Sequence, residues 1–133
     1  MALVPTSHPS AGRGGIKLAD LARVPLVMGT MAQWDFYRQM LDAIFAERGL
    51  TANVAFEASS MMGMLGLVSF GLGLTIFPQS IRRLQPMGVE IVDITGCTTP
   101  IQTVRAWRKS GLSVTARNFL KVCGVSERLA PGA

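Results

Sequence analysis

Few side chains in this sequence have the types and spacing that catalysis or metal binding requires. His8 is the single histidine and stands in a Ser-His-Pro segment, so it has no evident partner for nucleophilic catalysis. Cys97 and Cys123 match neither metal-ligand nor redox spacing, and the carboxylates are dispersed. These patterns predict no catalytic residue, no metal and no cofactor, and they argue against an enzyme.

Small polar residues follow two predicted apolar strands and form the best candidate ligand site. Gly29 and Thr30 follow the segment PLVM, while Ser59 and Ser60 follow NVAFE and open a helix. In open α/β sheets, ligands bind beyond the carboxyl ends of the strands. Helix N-termini add N–H donors and a partial positive charge, which suit a carboxylate or sulfate. An alternative remains open, in which these hydroxyls are only helix N-caps.

The longest uncharged tract runs from residue 58 to residue 81. Its length alone would suggest a membrane span, but internal glycines and the closing Pro78 interrupt it. An unbroken helix would carry a large propensity cost from those glycines. The tract is therefore interpreted as a helix over 60–70, a left-handed terminator at Gly71 and a buried strand over 72–77.

The remaining periodicities predict alternating strands and helices. The predicted strands cover 2–4, 25–29, 53–57, 89–94 and 101–107, and the predicted helices cover 19–22, 35–48, 79–84 and 113–122. This order implies right-handed βαβ crossovers and an α/β fold with a mainly parallel sheet and helices on both faces. In the clearest helix, Asp35 stands at the start, Gly49 follows the end, and an apolar stripe from Phe36 to Phe45 is expected to face the core.

Composition limits the class of protein further. The chain is 49% hydrophobic and 16% charged, which excludes disorder and leaves apolar surface that expects a partner. The net charge is +5, but the basic residues do not cluster, so an ordinary solvated surface is expected rather than a nucleic-acid patch. The N-terminus shows no signal-peptide pattern and cysteines are few, which together predict a cytoplasmic protein.

Four stretches of the sequence, in order, resemble the effector-binding domain of LysR-type transcriptional regulators. They are LVPTSHPSA, IKLADLARVPLVMG, AFEASSMMGMLGLVSFGLGLTIFPQSIRRL and PIQTVRAWRKSGLSVTARNFL. The resemblance covers nearly the whole chain. It implies a fold like the type 2 periplasmic binding proteins, with an effector cleft between two subdomains. It also implies that the domain senses a small, anionic metabolite.

The resemblance also implies particular site residues and domain limits. The effector-binding residues would be Gly29, Thr30, Met31, Ser59, Ser60, Phe77 and Pro78. The hinge residues would be Val4, Pro5, Thr6, Pro100 and Ile101. Residues 1–8 would form a hinge strand and turn, 9–97 the complete second subdomain, and 98–133 the returning strand and helix of an incomplete first subdomain.

The sequence departs from the pattern of these regulators at its N-terminal side. Neither the helix-turn-helix and linker helix nor the start of the first subdomain is present, so the resemblance implies a truncated regulator. DNA would be bound only through the missing domain, the intact protein would be a homo-oligomer, and no membrane would be involved. A solute-binding protein of a transport system shares this fold and is the alternative. The isolated chain is expected to be marginally stable or to self-associate.

Overall fold

The computed structural model describes residues 1–84, 86–97, 99–101, 104, 106–108 and 110–124. The chain divides into two compact units, Met1–Ile101 and Gln102–Ala133. The elements of the first unit are β1 (Ala2–Pro5), β2 (Ile16–Lys17), α1 (Leu18–Leu21), β3 (Leu26–Gly29), α2 (Met31–Ala46), β4 (Val54–Ala58), α3 (Met61–Ser69), β5 (Thr75–Ile76), the 3₁₀-helix Gln79–Arg83, β6 (Val89–Val92) and β7 (Ile94–Thr95). The second unit contains α4 (Val114–Val122).

Parallel pairing around β3 organises the first unit. β3 pairs in parallel with β4, and an isolated parallel bridge joins Leu26 of β3 to Leu74 just before β5. β1 runs antiparallel between β5 and β6, while β2 and β7 form a separate parallel pair. The predicted α/β class is confirmed. The antiparallel direction of β1 was not indicated, because side-chain alternation is the same for either strand direction.

Both faces of β1 and β3 are covered, as the sequence predicts, whereas β4 is largely exposed. Successive strand residues point to opposite faces. Ala2 and Val4 of β1 therefore pack with the buried residues of α2, whereas Leu3 packs with those of α3 and the 3₁₀-helix. The same alternation divides β3 between the two hydrophobic clusters.

The uncharged tract folds as a helix, a turn and a short strand. Ser60 is the N-cap of α3, and Gly71 has the left-handed φ of +76° that ends the helix. The Gly71 N–H donates to the Val68 carbonyl and the Leu72 N–H to the Leu67 carbonyl, which is the paired pattern of a Schellman motif. Among the described residues, no helix has the length and apolar character to cross a membrane.

α2 begins at Met31, which corrects the predicted start at Asp35. Its first turn is set apart because Trp34 has non-helical backbone angles, φ −124° and ψ 19°. The Thr30 carbonyl accepts hydrogen bonds from the N–H groups of Gln33 and Trp34. The apolar stripe starts only after this kink, so its period could not show the first turn.

The apolar stripe of α2 is mainly core, with one exception. Phe36 is 81% exposed and does not join the core. The other members are buried or half-buried against one hydrophobic cluster: Tyr37, Met40, Leu41, Ile44 and Phe45. In α4, Leu120 is buried, whereas Val114, Phe119 and Val122 are exposed.

Several predicted strands are shorter in the structure. The strand predicted over 72–77 is reduced to β5. Leu74 and Phe77 are buried as expected, whereas Leu72 is 42% exposed, so the predicted burial was wrong at the start of this segment. The strand predicted over 89–94 is divided at Asp93 into β6 and β7. In the segment 101–107, the described residues are not in a strand, and 102, 103 and 105 lie outside the described residues. Pairing defines a strand, and no described strand pairs with this segment.

Candidate functional site

The carboxyl ends of three strands meet at one edge of the sheet. Gly29 at the end of β3 lies opposite Ala58 at the end of β4, and the N–H of Thr30 donates to the Ala58 carbonyl over 3.1 Å. Because the segment before β5 pairs in parallel with β3, Phe77 also emerges at this edge. Thr30 and Ser59 are therefore neighbours, as predicted from the order of strands and polar residues.

The hydroxyl groups at this edge differ in their hydrogen bonds. Ser60 Oγ accepts from the N–H of Gly63 at 3.1 Å and caps α3. Thr30 occupies the equivalent position before α2 but makes no cap bond, and its Oγ1 donates to Gln33 Oε1 at 2.6 Å. The side chain of Ser59 is exposed. The N-cap interpretation therefore describes Ser60 alone.

A pocket of about 260 Å³ opens beside these strand ends, and its wall is almost entirely apolar. Its lining residues are Trp34, Tyr37, Met61, Phe77, Pro78, Ser80, Ile81 and Leu84. They come from the first turns of α2 and α3 and from the segment that follows β5. Two predicted site residues, Phe77 and Pro78, line this pocket, whereas Gly29, Thr30, Met31, Ser59 and Ser60 do not.

Three aromatic rings form one side of the pocket, and we call Trp34, Tyr37 and Phe77 the aromatic wall. The Trp34 ring meets Tyr37 and Phe77 edge to face, with centroid distances of 6.1 and 6.0 Å. Tyr37 stacks on Phe77 at 6.3 Å. Both geometries are among those that aromatic pairs favour, so the rings hold one another in place.

The position of Trp34 depends on the strand end beneath it. Trp34 Nε1 donates to the Ser59 carbonyl at 3.1 Å, which joins the kink of α2 to the turn after β4. A Cβ atom on Gly29 would lie only 2.6 Å from the Trp34 Cβ. Glycine at this position therefore lets the indole ring pack directly over the end of β3.

Two polar groups on α2 fix the backbone near the pocket. The Tyr37 hydroxyl donates to the Ile76 carbonyl at 3.0 Å, and burial raises the pKa of Tyr37 above its ordinary value. Arg38 is buried, and its Nη1 donates to the Gly29 carbonyl at 2.8 Å and to Glu57 Oε1 at 2.6 Å. Arg38 thereby ties the ends of β3 and β4 to α2.

The remaining predicted positions have simple structural settings. Val4 and Pro5 are buried within β1, and the N–H of Thr6 donates to the Gly88 carbonyl at 3.3 Å. Pro100 and Ile101 are exposed. The hinge role of these five residues stays a prediction.

The structure also shows the surroundings of the residues whose types could support catalysis or metal binding. His8 Nδ1 accepts from the N–H of Ser10 at 3.1 Å, which confirms its role in a turn. Within the described part of the chain, no cluster of His, Cys, Asp and Glu side chains could hold a metal ion. The residues at the strand ends can therefore offer hydroxyls and backbone groups, and the pocket can offer apolar contact.

Sequence reasoning missed Trp34 and Tyr37 as site residues. The patterns in the sequence indicated hydroxyls at strand ends and placed Tyr37 in an apolar stripe that faces the core. A usable signal was present, because Gly29 ends a buried strand and the aromatic-rich segment WDFY follows within one helical turn. A glycine before such a segment allows a ring to fold back over the strand end.

Comparison with known proteins agrees with this geometry. The chain is 33% identical over 118 residues to the HTH-type transcriptional regulator IlvR of Caulobacter vibrioides. This alignment covers 88% of this chain and 39% of IlvR. The crystal structure of HinK, a LysR family transcriptional regulator from Pseudomonas aeruginosa, is 30% identical with a TM-score of 0.70 and covers 92% of this chain and 43% of HinK. The BenM effector binding domain with its effector benzoate is 25% identical, with a TM-score of 0.64, covering 71% and 44%.

The match to a family model extends over almost the whole chain. The chain spans about two fifths of the length of the curated relatives that it matches. Residues 1–125 match the family described as the LysR substrate binding domain. The resemblance found in the sequence is confirmed, and this chain belongs to the LysR substrate-binding domain family.

Proposed function

We propose that this chain is the effector-sensing part of a LysR-type transcriptional regulator and binds a small organic acid. The observation that carries the proposal is the meeting of the β3, β4 and β5 carboxyl ends beside an apolar pocket. In α/β sheets such an edge is the usual ligand position. The relatives named above are transcriptional regulators, so a transport protein is not favoured and no enzymatic activity is proposed.

The effector would contact two kinds of surface at this edge. Ser59 would provide a hydroxyl donor for its anionic group, and Thr30 would provide a second by turning its O–H away from the exposed Gln33 side chain. The pocket lined by Phe77 and Pro78 would receive its apolar part. The proposal of an acid is supported by BenM, a relative whose effector is benzoate. Gly29, Met31 and Ser60 would contribute by shaping the strand ends and the first turns of α2 and α3.

Binding would act on the intact regulator by shifting an equilibrium between two arrangements. Residues 9–97 would form the second subdomain, and residues 98–133 would return to the first. The division of the chain after Ile101 supports this boundary. Crossings at Val4, Pro5, Thr6, Pro100 and Ile101 would serve as hinges. A ligand that binds the closed form better would favour it, and the homo-oligomer would transmit this change to DNA bound by another domain, in the cytoplasm.

The combined change Ser59→Ala and Thr30→Val tests this function. A thermal-shift screen would use benzoate and a panel of aliphatic carboxylates, since a ligand that binds the folded state raises the melting temperature. We expect one or more acids to stabilise the unmodified chain. The double variant should need at least about a hundredfold more of that acid for the same shift, because each of the two lost hydrogen bonds to a charged group contributes about 1.5–3 kcal/mol and about 1.4 kcal/mol is a tenfold change.

A matched control removes hydroxyls elsewhere in the same unit. Ser7 and Thr51 are exposed, so Ser7→Ala with Thr51→Val should leave the shift unchanged. An acid that stabilises the site variant and the unmodified chain equally would move the anion site away from Thr30 and Ser59. If no acid stabilises the chain or alters DNA binding by the intact regulator, effector sensing itself is contradicted.

A further inference from the structure

We infer that the effector carries a planar, apolar ring that binds against the aromatic wall, with Trp34 as the main residue that selects it. This inference rests on the proposed sensing function and specifies the class of molecule sensed. The pocket beside the strand ends is apolar, and the hydrogen bonds of its lining residues account for that character.

The polar atoms of the aromatic wall are already bonded to the backbone. Trp34 Nε1 donates to the Ser59 carbonyl at 3.1 Å, and the Tyr37 hydroxyl donates to the Ile76 carbonyl at 3.0 Å. These two side chains therefore line the pocket with their carbon atoms and have no further N–H or O–H to offer. A ligand carbonyl or carboxylate placed against these two rings would lose its water without gaining a hydrogen bond from them, which is unfavourable.

The rest of the pocket has the same character. Apart from the engaged Trp34 and Tyr37, Ser80 is the only lining residue with a polar side chain. Sugar-like or highly charged molecules need several convergent polar groups. An apolar moiety is therefore the part of a ligand that this pocket can hold.

The size of the pocket suits a substituted ring. A cavity of about 150 Å³ lined by apolar side chains holds benzene in another protein. The pocket here is about 260 Å³, which leaves room for a ring with a substituent. Trp34 of the pocket wall is bonded to the carbonyls of both Ser59 and Thr30, so that substituent would extend toward these residues and include the acidic group of the proposed effector.

The rings of the aromatic wall are held in place by contacts within the protein. The contact of Trp34 with Gly29, its bond to Ser59, and the edge-to-face packing on Tyr37 and Phe77 all limit rotation of the indole ring. A rigid set of rings favours a flat partner that can stack or meet it edge to face. It also lowers the entropic cost of binding such a partner. Planarity should therefore matter in addition to apolar area.

The experiment compares benzoate with cyclohexanecarboxylate on the full chain carrying Trp107→Phe. The two acids have the same charge and similar apolar area, but only benzoate is planar. The chain has two tryptophans, so this variant leaves Trp34 as the sole indole reporter. We expect saturable changes in Trp34 fluorescence, with benzoate binding about threefold to tenfold more tightly, the range that aromatic pair energies imply.

Variants of the aromatic wall then locate the effect, with binding measured by calorimetry. Trp34→Leu and Phe77→Leu should each weaken benzoate binding by about threefold to tenfold and bring the two affinities together. Phe70→Leu is the matched control, since Phe70 is an aromatic residue of the same unit that is 85% exposed. It should leave both affinities unchanged. Phe77→Leu serves as the second test if Trp34→Leu does not fold.

Some outcomes would overturn the inference. Equal affinities for the two acids would show that planarity is not recognised. Equal losses of benzoate affinity in Phe70→Leu and in the aromatic-wall variants would show that the ligand does not bind at the aromatic wall. Failure of both acids to perturb Trp34 at millimolar concentration would also contradict it. If the intact regulator responds only to an acyclic acid, the sensing function stands and this inference fails. If benzoate binds at Trp34 but no acid alters DNA binding, the aromatic-wall site stands and the sensing function fails.

Discussion

Tyr37 and Arg38 show how single residues support the site without contacting a ligand through their polar atoms. Both donate to the backbone carbonyl of the last residue of a strand, Ile76 of β5 and Gly29 of β3. Burial makes such bonds costly to break, because an abandoned carbonyl would lack both water and a protein donor. The backbone under the aromatic wall is therefore held by α2.

The raised pKa of Tyr37 predicts a loss of stability at alkaline pH. In the unfolded chain the phenol ionises near its ordinary pKa of 10.0, whereas burial keeps it protonated in the folded chain. Above the ordinary pKa, the folded state then binds more protons than the unfolded state. The contribution of Tyr37 to the free energy of unfolding is fully present below the ordinary pKa and falls above it by about 1.4 kcal/mol per pH unit. Denaturant unfolding across this pH range measures the slope.

Tyr37→Phe is the control for this prediction. It should lower the stability by about 1 kcal/mol at neutral pH through the lost hydrogen bond, and it should make the alkaline decline shallower. Tyr37 is the only tyrosine in the chain, so tyrosinate absorbance reports it alone. Ionisation near the ordinary pKa in the folded protein would refute the argument.

At the scale of elements, two helices begin at the same edge but are capped differently. The hydroxyl of Ser60 bonds to the backbone of the first turn of α3, while the hydroxyl of Thr30 bonds only to an exposed side chain at the start of α2. α2 compensates with the kink at Trp34, where the Thr30 carbonyl accepts two N–H groups. The first turn of α2 is therefore organised around Trp34 rather than around a cap.

This difference predicts unequal costs for two similar changes. Ser60→Ala should lower the free energy of unfolding by about 1 kcal/mol, the usual cost of losing an N-cap. Thr30→Ala should change it by less than about 0.5 kcal/mol, because its hydroxyl bonds only to the exposed side chain of Gln33. Chemical denaturation of both variants makes the comparison. Equal losses would show that the hydroxyl of Thr30 also caps its helix.

At the scale of the whole molecule, the described surface keeps several large apolar side chains exposed. The most exposed in the first unit are Phe36, Met62, Phe70 and Met87. Single exposed apolar residues are ordinary, but this chain is also 49% hydrophobic and only 16% charged. The combination favours association between chains.

Self-association is therefore expected in solution. Sedimentation velocity should show a larger species as concentration rises, and the melting temperature should rise with it. Phe36→Ser with Phe70→Ser should reduce association with little loss of stability, because both side chains are exposed. Leu120 is buried in the second unit, so Leu120→Ala should instead act on stability. A monomer at all concentrations, with one unchanging transition, would contradict this expectation.

The sequence by itself determined most of the elements, the family and the edge at which the candidate site lies. Gly71 and Ser60 marked the limits of α3, and Thr30 and Ser59 marked the ends of two strands. These signals are local, because a cap, a left-handed glycine or an apolar period involves residues close together in the chain. Their order also carried the resemblance that the family match confirms.

Only the tertiary structure decided which side chains form the pocket. Trp34 and Phe77 belong to different elements, and their contact depends on the bare Cα of Gly29 and on the shared edge of β3 and β5. The direction of β1 and the bonds of Arg38 likewise depend on contacts between segments that are distant in the chain. Packing between distant segments leaves no periodic trace in the chain, so residue types alone could place the hydroxyls but not the rings beside them.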